Sequence, residues 1–433
     1  MARTPIRQIL GLAVPALPVL AAEPVYLLVD TAVVGHLGAT ELGALGVGAI
    51  VLALLSTQLT FLSYGTTARA ARLHGAGDRD RAVAEGVQAT WLALGVGVVL
   101  ALLGQVAAAP VARLMAGSGP VADAAAGWLH TALIGVPMIL VTLAGNGWMR
   151  GVQDTRRPLR YVLAGNGMSA VLCPVFVYGA DWGLQGSAIA NVVGQTVAAV
   201  LFLHALRSER VPLAPHLSVM RAQLVLGRDL VLRSFAFQAC FLSATAVAAH
   251  TSVGAVGAHQ VVLQLWTFLS LVLDSLAIAA QSLVGAALGA GDSATAKDLA
   301  RRLSWYGLAF GVLLGIVFAV LAGALPRAFT GDAAVLAEIP HAWWYFVALQ
   351  PVAGVVFALD GVLLGAADAA FLRTATLVAG LAGFLPTIWL SLAFDWGLVG
   401  IWSGLTLFMF LRLAAVLLRM RSGRWAVVGA VLA

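Results

Sequence analysis

Charge is what this chain has least of. Asp, Glu, Lys and Arg together supply 10% of its 433 residues, against roughly 25% in soluble globular domains. With 61% hydrophobic residues and a mean hydropathy of +0.96, there is too little polar surface to coat a water-facing globule, which excludes an ordinary soluble domain. Cysteine is nearly absent too. The two present, Cys173 and Cys240, lie inside apolar runs, so neither a disulfide framework nor a metal centre is expected. A cleavable leader is not expected either. Arg3 and Arg7 precede an apolar stretch that continues through Pro15, Pro18 and Pro24 to Val34, with no short apolar core and small-residue cleavage site. The net charge of +6 does not point to nucleic acid, because the basic residues fall between apolar runs, where membrane topology accounts for them. Gly75-Ala76-Gly77-Asp78 and Gly289-Ala290-Gly291-Asp292 have no preceding strand and no lysine where a phosphate-cradling loop needs one, so tight turns are expected there.

What the chain has instead is one apolar run after another. A spanning helix needs about 20 mostly apolar residues, and twelve such spans can be drawn: 12–34, 44–68, 86–109, 128–149, 160–179, 184–206, 230–249, 257–288, 303–325, 341–365, 374–394 and 398–419. With the N-terminus in the cytoplasm, all of the 25 Lys and Arg residues except Arg113 and Arg327 fall toward the cytoplasmic side. An excess of Lys and Arg on one side sets orientation. The expectation is a multi-pass protein of the plasma (cytoplasmic) membrane with both termini cytoplasmic.

The two halves repeat. Asp181-Trp182-Gly183-Leu184 recurs as Asp395-Trp396-Gly397-Leu398, an offset of 214 positions. The same ungapped offset carries Gly75–Asp78 onto Gly289–Asp292, His36 onto His250, Trp91 onto Trp305, Pro137 onto Pro351, Gly151 onto Gly365 and Asp154 onto Asp368. Six spans per half is an even number, so both halves enter from one side and the repeats are parallel. The expected fold is therefore an all-α integral membrane protein of twelve transmembrane helices in two parallel six-helix repeats. The expected domains are a lobe over 1–206, a cytoplasmic linker over 207–229 and a second lobe over 230–433. Two lobes of this kind suit alternating access.

Ionisable groups inside spans are costly and mark functional sites by default. Glu23 and Asp30 stand seven residues apart, close to two helical turns, so both are expected on one face. Asp30 lies about five residues, roughly 8 Å, from the outer end of its span. Ser169, Cys173 and Asn191 fall at similar depth. Asn166, Asn146, Asp274 and Asp360 are further polar candidates. Under the offset Asp30 maps to Ala244, Glu23 to Phe237, Asn146 to Asp360 and Thr60 to Asp274, so each half carries acids the other lacks. That asymmetry fits different tasks for the two halves, such as ion coupling and substrate binding. Blander roles stand beside these. A buried acid can be neutralised by a hydroxyl or amide, Asp360 can pair with a loop arginine, and asparagines can simply join helices. Trp343 and Trp344 are expected in an interfacial aromatic belt, and His36 and His250 in structural roles.

Three stretches carry a family resemblance. Val29-Asp30-Thr31-Ala32-Val33-Val34-Gly35-His36-Leu37-Gly38 resembles the first-helix signature of the multidrug and toxic compound extrusion (MATE) family. Arg150-Gly151-Val152-Gln153-Asp154-Thr155-Arg156-Arg157-Pro158 is similar to that family's loop after helix four. Phe357-Ala358-Leu359-Asp360-Gly361-Val362-Leu363-Leu364-Gly365 resembles helix ten of its DinF (DNA-damage-inducible) branch. The resemblance implies two six-helix bundles around a V-shaped cleft, and export of organic cations or other toxic compounds against proton or sodium flow. It also implies that Asp30 is the coupling acid and Pro15 the bend of the first helix. Two departures stand out. Ser169-Ala170-Val171-Leu172-Cys173-Pro174 replaces the family's Asn-x-x-Leu-Asp-Pro, and the sodium-type acid that the NorM branch carries on helix seven is absent, Gln238 being the nearest polar residue. With fewer fixed carboxylates, a proton is favoured over a hard cation that needs several oxygen ligands. The implied protein is a monomeric transporter and not an enzyme. It has no cofactor beyond the coupling ion, and its partners are the lipid bilayer and a small cationic or amphipathic substrate. Export of a lipid-linked or polysaccharide intermediate is the alternative, disfavoured by the near-absence of arginine from the spans. An integral-membrane enzyme is the remaining one.

Overall fold

The computed structural model describes residues 6–430, in which every regular element is helical and there is no strand. The spans are α1 (Ile6–Gly35), α2 (Ala39–Gly75), α3 (Arg79–Ala116), α4 (Pro120–Leu133 and Val136–Gly151), α5 (Arg156–Gly179), α6 (Gly183–Ser208), α7 (Leu217–Thr251), α8 (Val253–Gly289), α9 (Ser293–Gly323), α10 (Ala333–Gly365), α11 (Ala369–Ala393) and α12 (Gly397–Ser422). Eleven are long and apolar enough alone to cross a membrane, and the bent pair in α4 makes the twelfth. The expected spans are all there, but most helices run several residues beyond them.

Several helices are interrupted for identifiable reasons. α4 bends by 49° between its two segments. Pro137 there lacks an N–H and crowds the carbonyl four residues back, and Gly135 adds a helix cost of about 1 kcal/mol relative to alanine. The repeat-equivalent Pro351 has Leu349 rather than glycine two residues before it and sits inside one continuous helix. α2 breaks at Thr60, whose hydroxyl donates to Thr57 O (2.7 Å). α5 and α11 each contain a π turn, Val175–Gly179 and Gly380–Phe384. The first of these follows Pro174 directly.

Two compact units emerge, one over Val14–Gly227 and one from Arg228 onward that also takes in the start of α1. Inside each, backbones approach at matching glycines. A Cβ on Gly97 would lie 2.5 Å from Pro137 Cα, and one on Gly311 2.8 Å from Pro351 Cα. One on Gly147 would lie 2.7 Å from Ser63 O, and one on Gly361 2.3 Å from Ala277 O. Each pair is related by the 214-residue offset. Helices in lipid gain little from hydrophobic exclusion, so close backbone packing at small residues carries their association.

The repeat also fixes the turns. Asp78 and Asp292 cap the following helices by accepting from Arg81 N (3.0 Å) and Thr295 N (2.8 Å), so the glycine-rich tetrapeptides are helix–helix turns as expected. His36 Nδ1 lies 2.7 Å from Ala32 O, and His250 Nδ1 2.8 Å from Ala246 O, the structural role expected of both.

Two expectations are corrected here. Trp343 is 1% exposed and packs on Phe318 and Phe346 in the core of the second unit, while Trp344 alone stays exposed. Successive helical residues point about 100° apart, so one element cannot present both tryptophans to an interface. The stretch 207–229 is also less of a linker than expected. Only Glu209–His216 is non-helical, and α7 begins at Leu217. The segment is tied to α3 by Trp91 Nε1 donating to Leu213 O (2.8 Å), His216 N donating to Gln88 Oε1 (2.6 Å) and Gln223 Nε2 donating to Glu85 Oε2 (2.7 Å).

Candidate functional site

Asp30 is 1% exposed, near the end of α1. Cys173 of α5 donates its thiol proton to Asp30 Oδ1 (3.3 Å). From α6 the Ser187 hydroxyl faces the same carboxyl. Ser187 Oγ accepts from Trp128 Nε1 (3.2 Å), which leaves its own proton free to turn toward Asp30. One turn back on α1, the Tyr26 hydroxyl faces Asn191 and Ser169. It is nevertheless buried without a hydrogen bond of normal geometry, as is Asn191 Oδ1. Ser169 Oγ donates to Ala190 O (3.0 Å). No arginine, lysine or histidine makes an ion pair or hydrogen bond with Asp30 among the described residues.

Asp30, Ser169, Cys173 and Asn191 are therefore brought together, all within the first unit. The helical period explains why: Ser169 and Cys173 are four residues apart on one face of α5. The same spacing could have revealed two members that charge and depth alone did not single out. Tyr26 stands four before Asp30, and Ser187 four before Asn191. Trp128 had no such signal, since only the packing of α4 on α6 brings it to Ser187.

The other candidates lie elsewhere. Glu23 is exposed and has no hydrogen bond or ion pair, two turns from Asp30. Sharing a helical face did not give the two acids one environment. Asn166 is half-buried and donates to Val162 O (3.1 Å) within its own helix. Asn146 is buried on α4, with Oδ1 unpartnered. α1 runs unbroken through Pro15, Pro18 and Pro24.

Asp360 sits in a different setting, 5% exposed. Arg233 of α7 donates to its Oδ2 (2.5 Å), and Arg412 of α12 donates to the same oxygen. Asp274 on α8 is close enough for its charge to act on Arg412. Phe237 lies under both guanidiniums, 5.5 Å from Arg233 and 4.9 Å from Arg412. The loop arginine considered as a partner for Asp360 is thus two span arginines, and the expectation that spans hold almost no arginine is corrected. A buried guanidinium survives in a span because a carboxylate and aromatic faces replace its water.

Comparison with known proteins completes the picture. The MatE family model matches residues 15–175 and 230–389, one stretch in each half. The chain belongs to the MatE family. Protein DETOXIFICATION 44, chloroplastic, of Arabidopsis thaliana is 34% identical, covering 96% of this chain and 83% of its own. DNA damage-inducible protein F of Escherichia coli (strain K12) is 32% identical over 95% of this chain and 92% of its own, in keeping with the DinF resemblance of helix ten. A crystal structure of MATE in the bent conformation superposes with a TM-score of 0.89 at 20% identity, covering 97% of this chain and 94% of that one. That likeness concerns the fold, and it matches the all-helical twelve-span architecture. As a MatE protein the chain is a multi-pass membrane transporter of the multidrug and toxic-compound efflux type, and not an enzyme.

Proposed function

We propose that this MatE protein is a secondary antiporter that exports organic cations or other toxic amphipathic compounds by alternating access, driven by inward proton flow. In this reading it works as a monomer in the plasma membrane, with both termini in the cytoplasm. The observation that carries the reading is Asp30: a carboxyl buried in a spanning helix, held by a thiol and facing a hydroxyl, with no basic partner. An acid with a fixed counter-charge stays ionised, whereas one held only by neutral groups can exist in both protonation states. When ionised, Asp30 accepts hydrogen bonds from the Cys173 thiol and the Ser187 hydroxyl. When protonated, it needs an acceptor, and Tyr26 Oη and Asn191 Oδ1 belong to the same cluster without partners of their own. Switching between these two bonding patterns changes how α1 is held against α5 and α6, which is the two-state element that coupling requires.

The donor set supports a proton over sodium. The cluster holds one carboxylate, Asp30 itself, with a thiol, three hydroxyls and one amide, and a thiol is a poor ligand for a hard cation. In this scheme Glu23 is the second acid on the proton path, Ser169 and Asn191 hold the cluster, and Pro15, through which α1 runs unbroken in this structure, is the point at which that helix bends during the cycle. Half-buried Asn166 and Asp274 are polar positions open to substrate, and buried Asn146 is a polar group that substrate would reach only after the helices around it move.

The test is export of a cationic dye from proteoliposomes under an imposed pH gradient, beside a sodium gradient at constant pH. Wild-type protein is expected to respond to the pH gradient, and Asp30→Asn to lose that response while remaining folded. Gradient-driven export by Asp30→Asn, or export driven by sodium alone, overturns the proposal.

A further inference from the structure

We infer that the second unit carries an anion-binding site at Arg233 and Arg412, suited to the carboxylate of an organic anion or zwitterion, with Asp360 as its built-in occupant. Its role in choosing substrate rests on the transporter reading above, but the site itself does not.

The bonding around Asp360 is lopsided. Each guanidinium offers five N–H donors in a planar fork that matches both oxygens of a carboxylate. Here Arg233 and Arg412 each use one donor, on the same oxygen, Oδ2. Asp360 Oδ1 and Arg233 Nε are both buried with no partner. An ion pair serving only to join helices gains most from two parallel bonds to both oxygens. In this arrangement a buried acceptor and a buried donor are left unmade, a costly state unless something else uses them. A second carboxylate arriving at the forks would satisfy the spare donors.

The surroundings suit an organic ion. Phe237 faces both guanidiniums, and buried Phe408 lies 5.6 Å from Arg412, so the cations are held in place on aromatic faces, and half-buried Phe237 is the one ring of the two left partly open. Arg412 is 3% exposed at its side chain and Arg233 13%; Arg233 is the member that reaches the surface. Asp274 acts on Arg412 by charge. It balances the cluster when empty and disfavours anions that cannot reach both forks.

The cluster is also not part of the common scaffold. Under the 214-residue offset Arg233, Asp274, Asp360 and Arg412 correspond to Val19, Thr60, Asn146 and Ala198. The first unit builds the same helices with no charge at any of these positions. Burying two arginines in spans is expensive, and the sister unit shows that the architecture does not need them.

The experiment is equilibrium binding to the purified full-length protein in lipid nanodiscs, with no gradient, using three probes of one shape: 1-naphthoate, 1-naphthamide and 1-naphthylmethylammonium. Wild-type protein is expected to bind naphthoate about tenfold or more tighter than the other two, the scale of one charge-assisted hydrogen bond. Arg233→Gln should remove that preference and leave naphthamide binding unchanged. Asp360→Asn frees the forks, so naphthoate should raise its melting temperature more than it raises that of wild type. Chemical rescue of this kind is unexpected for a purely structural ion pair, and it can be read even if the variant is unstable. Equal binding of the three probes, an unaltered preference in Arg233→Gln, or no extra stabilisation of Asp360→Asn each overturns the site. Asp30→Asn should bind naphthoate normally, so failure of proton coupling and failure of this site are separately visible.

Discussion

Cys173 donates to Asp30 Oδ1 across 3.3 Å, at the place where the family's helix-five pattern carries a second acid. A thiol there changes the site from an acid pair to a single acid with a neutral donor. Two neighbouring carboxylates must share protons and repel one another when both ionise. Among the described residues Asp30 has no carboxylate hydrogen-bonded to it, and the neutral Cys173 donor stands in that place.

Cys173→Ser keeps a donor beside Asp30, whereas Cys173→Ala removes it and leaves a buried oxygen short of a partner. The alanine variant is expected to lose about 1 kcal/mol of stability and to transport more slowly, with the serine variant near wild type. Melting temperature and initial export rate check this together. Identical behaviour of the two variants would remove Cys173 from the site.

Gly354→Ala should be among the more disruptive single substitutions, since its Cβ would lie 2.0 Å from Gly307 O. Overpacking of this kind costs about 1–3 kcal/mol, occasionally more. A methyl group added at Gly95 would meet nothing within 4 Å, so Gly95→Ala should leave the melting temperature unchanged or slightly raised. Thermal unfolding in detergent distinguishes the two.

Glu209, just beyond α6, accepts from Arg79 (2.5 Å) and from Arg157 (3.3 Å). The Arg79 bond holds its carboxyl below the ordinary glutamate value of 4.5, against an opposing effect of partial burial. A depressed folded pKa contributes stability that is present above about 4.5 and is lost as pH falls through the folded value. Lowering the pH through this range should therefore destabilise wild type more than Glu209→Gln. Melting curves at successive pH values measure the difference, and parallel curves would show that the bridge contributes nothing.

Orientation can be read directly. In a background lacking the two native cysteines, Ser118→Cys in the α3–α4 loop should react in whole cells with a membrane-impermeant maleimide. Ala290→Cys in the α8–α9 turn should react only after permeabilisation. The opposite pattern would invert the proposed topology.

Much of the architecture was legible in the sequence. Apolar runs of spanning length and the placement of arginine between them follow from the cost of exposing polar groups to lipid, which acts on every residue locally, and the 214-residue repeat is visible by direct comparison of the two halves. The family likeness also lay in contiguous stretches such as Val29–Gly38. The breaks were less visible. Pro137 and Pro351 occupy equivalent positions, yet only the first interrupts its helix, because the residues two before them, Gly135 and Leu349, differ in helix preference.

Partners across helices were beyond the sequence. It singled out Asp30 as an acid in a span and Cys173 as a departure on another, but not that they meet. Glu23 and Asp30 share a face, yet one is exposed and the other buried. Arg233, Asp360 and Arg412 stand on three helices far apart in the chain. Local chemistry determined that the chain enters the membrane, how often it crosses and which ionisable groups it carries there. Packing decided which of those charges are neutralised, since an ion pair or thiol contact depends on distances of a few ångströms between helices that linear spacing cannot specify. Asp360 with two arginines and Asp30 with none are the clearest product of that decision.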